Sequence, residues 1–403
     1  MNAPKGTTSH GDVVRFRQDI EARLRGRIRE TIEALIVEEL DAVLGCSRHE
    51  RTDERRGYRN GVETRRITTQ AGTREIAVPR GRVLREDGAT EEFRSELLPR
   101  YARRTLAIDE AILACYLAGH NSRRIRKALE PLLGSEHLSK SAVSRIVGRL
   151  KDVYDSWDRR DLAEERYTVL YLDGFHLKAR MVRRVVSVPV LAVLGVAPDG
   201  TKVLVALRLA SSESGTAWGD IIRDLVRRGL AAPALVIVDG HAGLRSALSK
   251  WAGTKIQRCT EHKRRNLKDH CPRHAWAEVR RDYNRIIYAG DGLAARKAYD
   301  AFVTKWTTLC PAVVRSLEEG GAELLTFYEF PKAAWKSLRT TNPLETLNRE
   351  FRRRTKTQAS FGTETAAVTL LYGLVAFGQI RMRKIDGHTA IAMIDAAAST
   401  RAA

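Results

Sequence analysis

Three acidic residues stand where an unpaired charge is hard to accommodate. Asp173 interrupts Thr168-Val-Leu-Tyr-Leu-Asp-Gly-Phe-His-Leu-Lys178, an otherwise strand-like apolar run. An ionised carboxylate in a buried strand is costly unless a cation or a hydrogen-bond donor meets it. Asp239 closes a second β-branched run, Pro233-Ala-Leu-Val-Ile-Val-Asp-Gly-His241. Glu345 falls in the first turn of the helix opening at Thr340-Thr-Asn-Pro-Leu-Glu-Thr-Leu-Asn-Arg-Glu-Phe-Arg-Arg-Arg354. Two strand-end aspartates and a helical glutamate make a donor set for two hard cations. Each acid also has a plainer reading. A strand-end Asp commonly serves a turn or an N-cap, and Glu345 fits a capping box with Asn342 as N-cap and Pro343 at the first helical position.

A second constellation follows the second acid. Cys259-Thr-Glu-His262 and Cys271-Pro-Arg-His274 form two C-x-x-H pairs. Their spacing admits zinc, with His270 as a rival ligand. The run between them, Lys263 to Lys268, reads instead as a basic helix, which would leave Cys259 buried and His262 near the acids. Downstream of Glu345, Asn348, Arg349, Arg352, Arg353, Arg354 and Lys356 continue one densely basic helix, so an acid at its head sits where phosphates would approach.

Composition narrows the partner. Over 403 residues the chain carries 70 Lys plus Arg against 49 Asp plus Glu, a formal charge of +21. A polyanion is the natural partner, nucleic acid before a membrane surface. No apolar run reaches 18 residues, which excludes a hydrophobic membrane span, and the first ten residues lack the apolar core of a signal peptide. Five scattered cysteines suit a reducing cytoplasm better than a disulfide framework. The length allows two or three domains.

The elements that must position the acids can be read in order. Val13–Leu44 is a helix whose apolar residues recur at steps of three and four until Gly45 stops it, its seam facing either its own domain or a second copy. Residues 47–101 form an Arg-rich arm, with an Asn60-Gly61 turn signal and a small hairpin, 65–69 with 74–78, about Gly72; Arg65, Arg66, Arg74, Arg80 and Arg82 face phosphate or solvent. Residues 102–160 hold three helices, 105–118, 122–133 and 139–157, with Asn121 and Ser139 as caps, a helix-turn-helix pattern whose third member presents Lys140, Ser141, Ser144, Arg145 and Arg149. From 161 to 271 the texture is α/β. Strands 168–178, 185–196 and 202–210 meander, a helix spans 216–228, a strand ends at Asp239, a helix spans 243–251 and a short strand spans 255–259. This is the element order of an RNase H-like sheet, in which the first and fourth strands adjoin. Residues 272–334 read as an all-α insertion, and 335–403 complete the core with an apolar helix over 363–383.

Taken together these residues resemble the IS256/Mutator-like group of DDE transposases. The resemblance runs over nearly the whole chain. It is carried by Tyr58-Arg-Asn-Gly61, Ala77-Val-Pro-Arg80, Leu138-Ser-Lys-Ser-Ala-Val-Ser-Arg145, Leu172-Asp-Gly174, Glu213-Ser-x-x-x-Trp218, Val238-Asp-Gly-His241, Cys259-x-x-His262 with Asn266-Leu267, and Thr341-Asn-Pro-Leu-Glu-Thr-Leu-Asn-Arg349. It implies an acidic triad of Asp173, Asp239 and Glu345 holding two Mg²⁺ ions, with Mn²⁺ able to substitute. Cys259, His262, Asn342 and Asn348 would support that site, and Trp218 would stack on a distorted base or fill core. It further implies cleavage and strand transfer at terminal inverted repeats, double-stranded DNA as partner (those repeats and a target), a homodimer or higher oligomer, and a cytoplasmic, nucleoid-associated protein. A non-catalytic DNA-binding protein and an RNase H-like nuclease are the competing classes.

Overall fold

A computed structural model of the chain describes residues 10–402, apart from 86, 121, 134–137, 182–183, 211–213, 241–247, 252 and 357–363. The chain divides into two units, Met1–Gly148 and Arg149–Ala403.

In the first unit the long apolar stripe becomes α1 (His10–Leu44). Its last turns bury Ile36, Leu40 and Leu44, while Ile20, Leu24 and Ile28 stay exposed. The buried end packs on a hairpin of β1 (Gly57–Thr69) and β2 (Gly72–Leu84), with Ile67, Ile76 and Val78 in the shared core. The hairpin closes at Thr69 opposite Gly72, and β3 (Thr90–Glu92) extends its edge. The strands run much further than 65–69 and 74–78 because Asn60-Gly61 does not turn the chain. Gly61 takes a φ of +78° inside β1, where the register slips between Arg59 and Val62. A bulge and a tight turn both favour a left-handed residue, so one dipeptide signals either.

The helices α2 (Leu106–Leu117), α3 (Ser122–Leu133) and α4 (Lys140–Arg159) follow. Ile108, Ile112, Ile125, Leu129, Ala142, Val143 and Ile146 close a small core between them. Ser139 Oγ accepts from Ala142 N at 3.1 Å, the cap its position suggested; Asn121 lies outside the described residues.

The second unit is built on a five-stranded sheet. Its strands are β4 (Val169–Met181), β5 (Arg184–Val196), β6 (Lys202–Leu209), β7 (Leu235–Val238) and β8 (Lys255–Arg258), in the order β6-β5-β4-β7-β8. The first three are antiparallel, and β7 and β8 run parallel to β4. The two-residue period of the strands decides what each face meets. Leu170, Leu172, Val236 and Val238 point to one side, where α5 (Gly215–Arg227) brings Trp218, Ile222 and Leu225. Trp218, only 3% exposed, therefore fills core rather than facing a base, and burial of a side chain that size contributes about 2–3 kcal/mol. The helix expected over 243–251 lies mainly outside the described residues.

On the opposite face Tyr171 donates to the Ser337 carbonyl at 3.0 Å, and Phe175 stacks on Phe351 with ring centroids 5.9 Å apart. Phe351 belongs to α11 (Asn342–Lys356). Between sheet and α11 the chain is helical: α6 (Thr260–Asp269), α7 (Trp276–Ile287), α8 (Gly292–Leu309), α9 (Pro311–Gly320), three 3₁₀ turns and α10 (Trp335–Leu338). Tyr283, Ile286, Phe302, Trp306, Val313 and Leu317 give this segment its own core. The terminal apolar helix, α12 (Glu364–Ala376), stops seven residues short of Arg383 because Gly378, at φ +68°, reverses the chain. A further helix, α13 (Thr389–Ala402), has no counterpart in the sequence reading. Among the described residues no helix is long and apolar enough to cross a membrane.

Candidate active site

The register of one parallel pair of strands brings the first two acids together. Leu172 of β4 pairs with Val238 of β7, so the next residue in each strand is an acid, Asp173 or Asp239. Alternation turns both toward the face that carries α11. Asp173 stays within β4, opposite Ala192, and is 6% exposed. Asp239 lies just past the end of β7 and is more open to solvent, with 38% of its side chain exposed.

The third acid arrives on α11. Thr341, not Asn342, caps this helix, since its carbonyl accepts from Leu344 N and Glu345 N, each at 2.9 Å. Asn342 is the first helical residue, exposed, and its own N–H goes to Thr340 Oγ1 at 3.4 Å. That arrangement removes the capping-box reading of Glu345, which needed Asn342 N as its partner. Glu345 Oε1 is instead buried without a hydrogen bond. One turn on, Asn348 is fully buried and donates from Nδ2 to Asp173 Oδ2 at 3.2 Å, leaving its own Oδ1 unpartnered.

His262 stands between the other two acids. Its Nδ1 is 3.4 Å from Asp239 Oδ1 and its Nε2 is 3.5 Å from Glu345 Oε1. Burial pulls the imidazole down, but Cys259 and the Asp239 and Asp173 carboxylates outweigh it and lift it to about 9. An imidazolium there offsets repulsion among the acids. Cys259 is fully buried where β8 passes into α6. Its N–H donates to the Val238 carbonyl at 2.8 Å, and its sulfur accepts from Thr341 N and Thr341 Oγ1, both at 3.4 Å. One cysteine thus ties the end of β7 to the head of α11, which fixes Asp239 and Glu345 relative to each other.

The donor set is all oxygen at the acids, as a hard cation requires. Among the described residues no three His, Cys, Asp or Glu side chains stand close enough to hold a metal ion, and the His262 imidazole lies between Asp239 and Glu345. The orphaned Glu345 Oε1 and Asn348 Oδ1 are the kind of buried oxygens a cation would satisfy. In the second C-x-x-H pair Cys271 donates to the Pro272 carbonyl at 3.4 Å and His274 is exposed.

The residues expected to contact nucleic acid are only partly available. On α4, Ser141, Ser144, Arg145 and Arg149 are exposed, as are Arg349 and Arg352 on α11. The side chains of Lys140 and Lys356 fall outside the described residues. Arg353 pairs with Glu350 at 2.7 Å, and Arg354 donates to the Gln379 carbonyl at 3.2 Å. Arg65 is consumed by the protein, donating to the carbonyls of Leu98, Pro99 and Ala102 at 3.2, 2.8 and 3.0 Å. Arg66 is exposed beside Glu75 at 3.8 Å. Two neighbours of the acids escaped the sequence reading. Arg265 lies 3.4 Å from Glu345 Oε1, one turn after His262 on α6, a spacing of three that puts both on one helix face. Thr341 stands in the sequence motif, but its role was not legible there, because its partner is 82 positions away.

The sequence pattern described as "Transposase, Mutator family" matches residues 4–379. The chain is 35% identical over 354 residues, 88% of its length and 84% of the relative's, to the transposase for insertion sequence element IS1081 of Mycobacterium tuberculosis. It is 33% identical, over 87% of this chain and 86% of the relative, to the transposase for element ISRM5 of Rhizobium meliloti. It is 32% identical, over 80% and 81%, to the transposase for IS256 in transposon Tn4001 of Staphylococcus aureus.

Proposed function

The chain belongs to the Mutator family of transposases, and we propose that it binds the terminal inverted repeats of an insertion sequence and catalyses DNA cleavage and strand transfer there through Asp173, Asp239 and Glu345. The observation that carries this reading is the Leu172–Val238 pairing, which sets two acids side by side under a helix bearing a third. We read the β6-β5-β4-β7-β8 sheet as an RNase H-like core, the helices from α7 to α9 as an insertion into it, and α2 to α4 as a helix-turn-helix unit. Residues 1–46 and the Arg-rich arm, 47–101, precede that unit.

The three acids would hold two Mg²⁺ ions, or Mn²⁺ in their place, which when bound supply activation of a water or 3′-hydroxyl and stabilisation of the leaving 3′ oxygen. The chain's own residues prepare that chemistry. Asn348 fixes Asp173 by its amide, Cys259 and Thr341 set the spacing of Asp239 and Glu345, and His262 and Arg265 keep the ionised acids compatible at close range. Arg349 and Arg352 receive phosphates beside the acids, while Ser141, Ser144, Arg145 and Arg149 face a groove and read base edges. Two element ends must be held at once, which makes a homodimer or larger assembly on DNA in the nucleoid the working form, with the exposed Ile20, Leu24 and Ile28 of α1 as its contact.

A plasmid carrying the gene's native flanks, incubated with Mg²⁺ and either wild type or Glu345→Gln, tests the reading by mapping of 3′ ends. Wild-type cleavage confined to flanking inverted repeats and absent in the variant is the expected result. Binding at those repeats with no cleavage in Mg²⁺ or Mn²⁺ would leave a DNA-binding protein and remove the catalytic claim.

A further inference from the structure

Behind Asp239 lie two buried cations, Arg258 and Lys263. Arg258 ends β8 opposite Val238, and only 4% of its side chain reaches solvent. Lys263, in the first turn of α6, is buried to 1%. Both converge on Glu319, next to the last residue of α9. Arg258 Nη1 donates to Oε1 at 3.0 Å and Nη2 to Oε2 at 3.3 Å. The Lys263 ammonium donates to the same Oε2 and to the Ser316 carbonyl, the latter at 2.7 Å.

The other side of Arg258 is occupied by the residue after Asp239. Gly240 holds a φ of +124°, and a Cβ built there would stand 1.8 Å from Arg258 Cζ and 2.2 Å from its Nε. That Nε has no hydrogen-bond partner. The guanidinium thus forms the floor on which the Asp239–Gly240 turn rests.

Burying two cations against one carboxylate is a poor way to stabilise a fold, since apolar side chains of similar volume do as well or better. It leaves a positive charge in excess directly behind Asp239. Burial holds Lys263 below its ordinary range, with Glu319 and Asp239 both drawing it back up, so the ammonium and the Asp239 carboxylate lie within electrostatic reach.

We propose that Glu319 is a positioning residue for Asp239: by clamping Arg258 and Lys263 it holds the Asp239–Gly240 turn in place and in a positive field, so that the helical insertion is a working part of the acid site. This rests on the reading of Asp239 as a cation-binding acid. Groups that orient a metal ligand commonly change metal affinity or activity by about 10- to 100-fold when removed.

The test is Mn²⁺ binding to the full chain without DNA, followed by the free-Mn²⁺ spin-resonance signal, with Mn²⁺-dependent end cleavage alongside. Glu319→Gln is expected to raise the Mn²⁺ Kd by about 10-fold, to raise the Mn²⁺ needed for half-maximal cleavage by the same factor, and to leave affinity for end DNA unchanged. Glu319→Asp should recover part of both. Because Glu319→Gln strands two buried charges, the pair Glu319→Gln with Lys263→Met restores the charge balance; it should melt near wild type and still bind Mn²⁺ weakly. Wild-type Mn²⁺ affinity in both variants would overturn the inference and leave Glu319 a structural link. Asp239→Asn separates the two claims. If it abolishes Mn²⁺ binding while Glu319→Gln binds Mn²⁺ with wild-type affinity, the inference alone falls; if it binds like wild type, the reading of Asp239 falls with it.

Discussion

The two Asp-Gly dipeptides of the acid site look interchangeable in the sequence and are opposites in the fold. Asp173-Gly174 lies inside a long strand, with Asp173 paired to Ala192 and Gly174 to Leu191. Its carboxylate is buried and receives a neutral amide from Asn348. Asp239-Gly240 lies beyond a four-residue strand, half open to solvent, and turns through a left-handed glycine over a guanidinium. One acid is held by ladder hydrogen bonds and an amide, the other by a turn and by charge. An acid built into a ladder resists displacement because its neighbours share the strain. An acid on a turn depends on whatever lies under the turn.

The sharpest way to break that contrast is to give each glycine a side chain. Gly240→Val must adopt a left-handed φ, worth about 1–3 kcal/mol of strain, and must also displace Arg258. A shift of about 1 Å in a reacting group costs on the order of 100-fold in rate, so end cleavage should fall by that order in gel assays while end binding persists. Gly174→Ala, on half-exposed strand backbone, should shift stability by no more than about 0.5 kcal/mol. Equal effects at the two positions would erase the distinction.

Removing the amide sharpens the other side of it. Asn348→Ala deletes the donor to Asp173 Oδ2 in a fully buried place. A hydrogen bond to a charged group contributes about 1.5–3 kcal/mol, so the Mg²⁺ needed for half-maximal cleavage should rise about 10-fold. A wild-type metal requirement in a well-folded Asn348→Ala would show that the ladder alone positions Asp173.

The contrast also marks where sequence reasoning succeeded. The meander and the β7 strand follow from β-branched runs ending in charge, a pattern carried by consecutive residues, and the adjacency of its acid to Asp173 follows from the order of the elements. The errors arose where a local signal had two tertiary uses. Asn60-Gly61 serves a bulge, and Asn342 yields its capping place to Thr341, whose hydroxyl is drawn to Cys259. Arg65 was read as facing phosphate, but three carbonyls of the following loop take it. Helix α13 is alanine-rich and lacks a clear apolar stripe, so only its packing distinguishes it from coil. Nothing near Asp239 in sequence announced Glu319, whose link to Arg258 spans 61 positions.

A smaller effect is expected where the two acids' supports meet. Thr341→Val keeps the shape of the cap residue and its N–H to the Cys259 sulfur but removes the Oγ1 donor. The loss should be about 1 kcal/mol at most, visible as a drop of a few degrees in melting temperature, with cleavage nearly intact. A loss of cleavage comparable to that of Gly240→Val would mean that the Cys259–Thr341 link, rather than the Gly240 turn, sets the position of Asp239.

The least effect, and the most diagnostic of charge, lies in acid. The amide that holds Asp173 does not titrate; the carboxylate that anchors Arg258 does. Burial pushes Glu319 up, but Lys263 and Arg258 outweigh it and hold its carboxyl below the ordinary range. A carboxyl with a lowered folded value contributes stability that is fully present above its unfolded value, about 4.3, and that disappears as pH falls through the folded one. Wild type should therefore melt above Glu319→Gln near neutral pH, and the gap should shrink below about pH 4.3 and close in stronger acid. Solvent screening keeps the gap small, since just over half of the Glu319 side chain is exposed. A gap of constant size across that range would mean that Glu319 holds α9 against the sheet by shape and not by charge, and the turn beneath Asp239 would then rest on packing, like its counterpart at Asp173.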